Sequence, residues 1–273
     1  MALPDYQLSN DAGKVTVYLL HGIYGAKEYW RPTIGRLIEH GYRVVAWEAP
    51  GYGQSALPAQ LSFDLVAEAG ARLIRATGSE RNVVFGHSMG GLIAIRGVQM
   101  GCVDPAALVL TSPLLGLKLR VNPIKRLLGQ LLVRFIPTAR FRNGLDPRNM
   151  TRDARFAEER RNDPLIVRTV TASWFFAMQR CIQEGLRDAD RIQVPILAFR
   201  GMQDETTDGD ILAEWLSKTN SRSSELVSLP MHVHEVFHES DWTESMDRMI
   251  QWLEQVEVIR SSSGNGPKLA DSV

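Results

Sequence analysis

The sequence predicts an α/β fold: a doubly wound, mostly parallel sheet interrupted by one long helical insertion. Short apolar runs recur along the chain and are nearly continuous rather than alternating, as strands covered on both faces read. Segments of helical periodicity separate most of these runs. Several runs end in glycine or proline, which gathers the loops at the carboxyl ends of the strands.

Taken in order, "KVTVYLLHG" (Lys14 to Gly22) is the first buried strand, followed by a helix around Trp30 to His40 that Gly41 stops. "RVVAWEAPGYGQS" is a strand running into a Pro/Gly-rich loop from Pro50 to Ser55. Ser62 is placed to cap a helix with Leu65, Val66, Ala69 and Leu73 on one face, ending near Gly78. "NVVFGHSMGG" is a strand that enters a glycine-flanked turn, with a helix from Leu92, and "AALVLTSP" is the next strand. Between Pro113 and Asp190 the rhythm breaks for a length no simple loop would have, which predicts an inserted cap over the strand ends. "VPILAFRG" and "SELVSLP" resume the sheet, each followed by a helical stretch; Asp208 and Asp210 are placed to cap the first, near Ile211. The expected organisation is therefore a core of residues 1–114 and 191–260, a helical cap of 115–190, and a disordered Gly/Ser-rich tail of 261–273.

Composition narrows the classes. The chain has 273 residues, enough for one sizeable core, and its 31 basic and 31 acidic residues create no global field for nucleic acid. The start "MALPDYQLSN" has neither a basic segment nor an apolar one, and no apolar run would span a bilayer. Only Cys102 and Cys181 are present, so no disulfide framework is called for. A cytoplasmic protein is the expectation.

Chemistry concentrates at the strand ends. "GHSMG" (Gly86 to Gly90) fits G-x-S-x-G between a strand and a helix. That turn is sharp enough to expose the Ser88 hydroxyl and aim a helix N-terminus at it. "LLHGIYG" (Leu19 to Gly25) can present the Ile23 N–H beside that of Met89 to a developing oxyanion, with His21 bracing the loop rather than acting as a base. Of the acids in "FRGMQDETTDGD", Asp204 comes first after the strand, where a carboxylate points over the sheet edge. The loop "PMHVHEVFHES" holds His232, His234 and His238, and completes a Ser…Asp…His order. The same stretch reads as H-E-x-x-H through His234-Glu235 and His238, a zinc-peptidase pattern. That pattern needs both histidines on one helix face, whereas helical periodicity is convincing only from Trp242 to Leu253.

With those residues placed, the chain from about Val15 to Leu253 resembles the α/β-hydrolases of the monoacylglycerol lipase and lysophospholipase group, akin to the serine aminopeptidase S33 type. The likeness rests on "HGIYG", "APGYGQS", "GHSMGG", "TSPLLG", "NDPLIVR", "GMQD" and "HEVFHE". A histidine followed five residues later by glutamate is the group's more specific element, and it selects His234, with Glu239, over His232 and His238. The resemblance implies ester hydrolysis through an acyl-enzyme on Ser88, with Asp204 orienting His234 and with no cofactor or metal. It also makes Tyr24, Leu114 and Leu115 candidate substrate contacts for a small acyl ester. Two departures stand out. Glu48 replaces the aspartate that opens the group's D-x-x-G-x-G-x-S loop, and the stretch before Lys14 is short for two leading antiparallel strands.

The insertion carries the substrate information. From Ile124 to Ile136 an apolar stripe recurs at Leu127, Leu128, Leu131, Leu132 and Phe135, with Lys125, Arg126 and Arg134 off it. Such a helix either packs its stripe on the body with solvated charges or makes peripheral contact with membrane lipid. Competing readings are a small-ester or aminopeptidase-like hydrolase on the same fold, a zinc peptidase, and a silent binding protein, against which all three of Ser88, Asp204 and His234 argue.

Overall fold

The computed structural model describes residues 3–9, 13–23, 25–53, 62–118 and 136–263, with side chains to residue 256. Five strands precede the insertion: β1 (Tyr6–Ser9), β2 (Val15–Leu20), β3 (Arg43–Trp47), β4 (Arg81–His87) and β5 (Ala107–Thr111). Within the insertion β6 (Arg140–Arg142) and β7 (Thr169–Thr171) form a small antiparallel ladder. After it come β8 (Ile196–Gly201) and β9 (Ser224–Leu229). The main sheet runs β1-β3-β2-β4-β5-β8-β9, parallel throughout except that β1 pairs antiparallel with β3. One leading antiparallel strand is thus present in the short N-terminal stretch.

Every residue of β2 and β5 is buried, because helices cover both faces of the sheet. On one face Tyr18, Leu20, Val45, Trp47 and Leu108 meet apolar residues of α2 (Phe63–Thr77) and α3 (Met89–Gln99). On the other, Val17, Leu19, Val44 and Phe85 meet α1 (Arg31–Glu39) and the C-terminal helix Trp242–Ser263. Each large apolar side chain so enclosed contributes roughly 1.5–3 kcal/mol, which is what drives the two-sided wrap.

The structure corrects the sequence reading in several places. Leu65 is 45 % exposed, and the buried face of α2 is Phe63, Val66, Ala67, Ala69 and Leu73. Phe63 sets that face, and a residue two positions on points away from it. Ser62 sits at the N-cap with extended backbone but its side chain makes no cap hydrogen bond. Asp208 caps its helix by accepting from Asp210 N (3.0 Å), whereas Asp210 pairs with Arg200.

The insertion contains α4 (Ala154–Asn162), and α5 (Ala172–Arg187) follows it. Although α5 falls inside the expected cap, it packs on the body. Trp174 meets Phe63 at 5.7 Å between ring centroids, Gln99 Nε2 donates to Gly185 O (2.8 Å), and Arg96 pairs with Asp188 (3.0 Å). The last helix within 115–190 thus shares its packing with α2 and α3. After β8 and β9 come α6 (Gly209–Ser217) and α7 (Trp242–Ser263); α7 takes the first three residues of the expected tail. Residues 119–135, which hold nearly all of the striped basic helix, and residues 264–273 lie outside the described residues. No helix among the described residues is long and apolar enough to cross a membrane.

Candidate active site

Four loops that carry the candidate residues leave carboxyl ends of strands, from β2, β4, β8 and β9, so the site lies along one edge of the sheet. At the end of β4, Ser88 adopts φ 50° and ψ −115°, a conformation that L-residues rarely hold. The residues two positions to either side must be glycine. A Cβ on Gly86 would come within 2.6 Å of Gly90 O, and one on Gly90 would collide with the carbonyl of Leu20. Ser88 itself is 4 % exposed and begins α3, so the N–H of Met89 belongs to the helix's unsatisfied first turn.

The loop after β2 passes close over this turn: a Cβ on Gly22 would lie 3.1 Å from Ser88 Cβ. Ile23 is buried there, and Tyr24 lies outside the described residues. His21 braces the loop, as its position suggested. Its Nδ1 lies 2.8 Å from Gly22 O, and its Nε2 accepts from Ala49 N (3.0 Å). Glu48 is accommodated: buried, it accepts from Lys27 N (3.3 Å), while Gly53, at φ 53°, leaves room for the longer side chain.

Asp204 and His234 meet. His234 Nδ1 donates to Asp204 Oδ2 at 2.8 Å, and both side chains are buried. Asp204 is otherwise saturated: Oδ1 accepts from Thr206 N (2.7 Å) and Thr207 N (3.1 Å), and Oδ2 from Thr207 Oγ1 (2.6 Å). Burial by itself would raise the Asp204 pKa, but the His234 ring and these donors outweigh it and bring the pKa down to about 2. Burial likewise works against a charged His234. Asp204 and, less strongly, Glu235 overcome that, so its pKa rises above the usual value for histidine. Its Nε2 has no hydrogen-bond partner among the described residues.

Two consecutive residues at the end of β5 connect the nucleophile and base candidates. Ser88 N donates to Thr111 O (3.0 Å), and Ser112 Oγ donates to His234 O (2.9 Å). Ser112 is itself held at φ 42°. Among the candidate substrate contacts, Leu114 N donates to Ser88 O (3.0 Å), while Leu115 is fully buried in the core against α5.

The three histidines separate cleanly. His232 Nε2 lies 3.2 Å from Asp241 Oδ1, and His238 Nε2 donates to Tyr29 O (3.0 Å) while its ring stacks on Phe156 at 4.2 Å. His234 precedes a single 3-10 turn, Val236–His238, so the H-E-x-x-H residues do not share the helix face that zinc ligation requires. Among the described residues, no group of three or more His, Cys, Asp or Glu is placed to hold a metal ion.

Sequence reasoning missed a buried cluster beside this site. Glu235 Oε2 accepts from the Tyr29 hydroxyl and lies 3.2 Å from His87 Nε2 and 4.0 Å from His238 Nδ1. Adjacency to Ser88 and His234 was the available signal for His87 and Glu235; nothing in the sequence singles out Tyr29. Glu239, which the resemblance did select, accepts from Val233 N (3.1 Å) and Arg152 N (3.0 Å). An open cleft lined by Asn149, Thr151, Gln203, Glu205 and Val233 separates the insertion from the loops of Asp204 and His234.

Comparison with known proteins bears on this arrangement. A family model described as serine aminopeptidase, S33 matches residues 11–241. The phospholipase YtpA of Bacillus subtilis is 29 % identical over 228 residues, covering 80 % of this chain and 88 % of that protein. A monoacylglycerol lipase from Paleococcus ferrophilus superposes with a TM-score of 0.86 at 22 % identity, over 93 % of this chain and 100 % of that one. A soluble variant of the monoglyceride lipase of Saccharomyces cerevisiae, bound to a substrate analogue, gives 0.77 at 20 % identity over 94 % and 96 %. At such identities the two superpositions speak for the fold.

Proposed function

The chain belongs to the serine aminopeptidase S33 family of α/β-hydrolases and is an ester hydrolase, and from that premise we propose that it cleaves carboxylic esters of monoacyl lipids, a monoacylglycerol or a lysophospholipid, through an acyl-enzyme on Ser88. The observation that carries the mechanism is the 2.8 Å bond from His234 to a buried, ionised Asp204, on the same sheet edge as the strained Ser88 turn.

In this mechanism neutral His234 takes the Ser88 proton at Nε2 as the hydroxyl oxygen attacks the ester carbonyl. The tetrahedral oxyanion receives the N–H groups of Ile23 and Met89. Collapse expels the alcohol, which takes the proton from His234 and leaves the acyl group on Ser88. Water, deprotonated by the same imidazole, then attacks the acyl carbonyl; the bond to Ser88 Oγ breaks, His234 returns the proton to Ser88, and the fatty acid leaves. Asp204 fixes the tautomer that leaves Nε2 free to accept, and it stabilises the imidazolium at each transfer. The insertion that begins at residue 115 is assigned the role of cap, and Leu114, whose N–H meets Ser88 O, is a candidate contact for the acyl chain. The lipid-named relatives and the apolar stripe in the insertion's sequence support this substrate class.

A fluorophosphonate probe should label the wild-type protein on Ser88 and leave Ser88→Ala unlabelled; equal labelling of both would sink the mechanism. His234→Ala should lose hydrolysis by roughly three or more orders of magnitude, because such residues act as a unit. Relative rates on monoacylglycerols, lysophospholipids, short esters and aminoacyl amides decide the substrate, and a preference for aminoacyl amides would replace the lipid reading.

A further inference from the structure

We propose that Glu235 is a positioning residue for this reaction: a second buried carboxylate that, through His87, fastens the loop of the base to the turn of the nucleophile. The inference rests on the assignment of Ser88 and His234 and deepens it.

The geometry is specific. Glu235 directly follows His234, and His87 directly precedes Ser88. The Glu235 carboxylate, 4 % exposed as a residue, lies 3.2 Å from His87 Nε2, within ion-pair distance but outside hydrogen-bond alignment. His87 in turn sets its ring 4.9 Å from that of His234, between centroids, and stacks on Tyr29 at 5.7 Å with planes 13° apart. Tyr29 completes the ring of contacts by donating its hydroxyl to Glu235. A buried ion cluster that only filled space could occupy any part of the core. This one sits one residue from each of the two side chains that must exchange a proton. Asp204 holds His234 through Nδ1 on the other side, so the base is held between two carboxylate-anchored supports.

Charge argues in the same direction. Burying an unpaired carboxylate is expensive, and truncating one member of such a cluster leaves the others uncompensated. Burial would raise the Glu235 pKa, but His87, then His234 and His238, outweigh it and keep the group ionised well below the usual carboxylate range. An ionised Glu235 beside His234 favours the imidazolium that forms during proton transfer, in support of Asp204. The other groups facing this cluster are Tyr29 from the turn before α1, His238 from the turn after β9, and Arg160 from α4, whose guanidinium lies 5.7 Å from the Tyr29 ring centroid and opposes the effect.

Glu235→Gln keeps the side-chain shape and removes the charge. We expect kcat to fall by at least about tenfold with KM changed less than about twofold. The acid limb of kcat/KM should move to lower pH, because His234 loses a carboxylate that favours its protonated form, and labelling by the fluorophosphonate should slow in step. His87→Gln should show the same kcat loss, and the double variant should be no worse than either single one, since both remove one link. Should Glu235→Gln fail to fold, His87→Gln, which keeps the Glu235 charge, carries the test by its kcat loss with the acid limb left in place. A folded Glu235→Gln with wild-type kcat and an unmoved acid limb overturns the inference, as does a lowered Tm without either change. If wild type is labelled on Ser88 and Glu235→Gln matches it, only this inference fails; if wild type is not labelled there, the mechanism beneath it has failed.

Discussion

Burial holds His21 and His238 neutral, and each has its pKa lowered from 6.5 to about 4. For both, loss of solvent is the largest cause, opposed in His21 by the hydrogen bond to Gly22 O and in His238 by the Glu235 charge and then the hydrogen bond to Tyr29 O. The sign follows from proton counts. Between about 4 and 6.5 the unfolded chain binds protons at these sites and the folded one does not. Their contribution is therefore complete above 6.5 and is lost as pH falls through that window toward 4. A shift of this size corresponds to about 3 kcal/mol per histidine at most. Urea midpoints measured from pH 7 down to 4.5 should fall steeply for wild type and less steeply for His238→Gln; parallel curves would refute the assignment. At this scale the sequence was informative where chemistry fixes a neighbour. His21 lies against the glycine turn that follows it, and Asp204, first acid after its strand, reaches His234 Nδ1. The sequence was silent on Glu235, whose only visible pattern was a metal motif, because the partners Tyr29 and His87 lie 206 and 148 positions away along the chain.

Among the elements, the insertion is laced at two places to the loops that carry Asp204 and His234. Its opening residues pair with the Asp204 loop: Lys118 N donates to Thr206 O (3.1 Å), Asp208 N to Gly116 O (3.1 Å), and Lys118 Nζ to Asp204 O (2.6 Å). Further on, Met150 O accepts from Glu235 N (2.8 Å), Thr151 Oγ1 donates to His238 O (2.9 Å), and Arg152 N donates to Glu239 (3.0 Å). Glu239 also holds Val233 N, so one buried carboxylate joins the insertion to the base loop. Glu239→Gln would turn an amide N–H₂ toward one of those two donors. We expect a loss of about 1–3 kcal/mol in stability together with a fall in kcat, read by denaturant melts and steady-state rates. Unchanged stability would show that the clamp carries no strain or load. The strands were legible in the sequence because burial on both faces leaves an uninterrupted apolar run. α5 was placed in the cap only by its position between Pro113 and Asp190, which does not say which neighbour it packs against. Only the contacts of Trp174, Gln99 and Gly185 decide that it lies on the body.

For the molecule as a whole, the site exists only through the sheet order, which brings residues 88, 204 and 234 to one edge while the insertion lies between the first and second. If the insertion's basic stretch meets anionic lipid rather than only packing on the body, Lys125, Arg126 and Arg134 are its candidate contacts. Replacing all three with glutamine should weaken binding to anionic vesicles by about 1 kcal/mol per residue at low salt, while turnover of a soluble short-chain ester stays unchanged. Undiminished vesicle binding would assign the stretch to the cap alone. A different consequence follows from the sheet being open. Its two outer strands, β1 and β9, each leave a row of backbone groups that a strand from another chain could extend. β1 is four residues long and follows Pro4, which has no N–H to offer. β9 carries Ser224, Glu225 and Ser228, with Glu225 tied to Arg248 and Ser228 to Arg200, and Pro230 closes it. Both rims are thereby guarded against templated growth, so changes to Glu225 or Pro230, far from the reacting groups, are the ones that would turn this hydrolase toward aggregation.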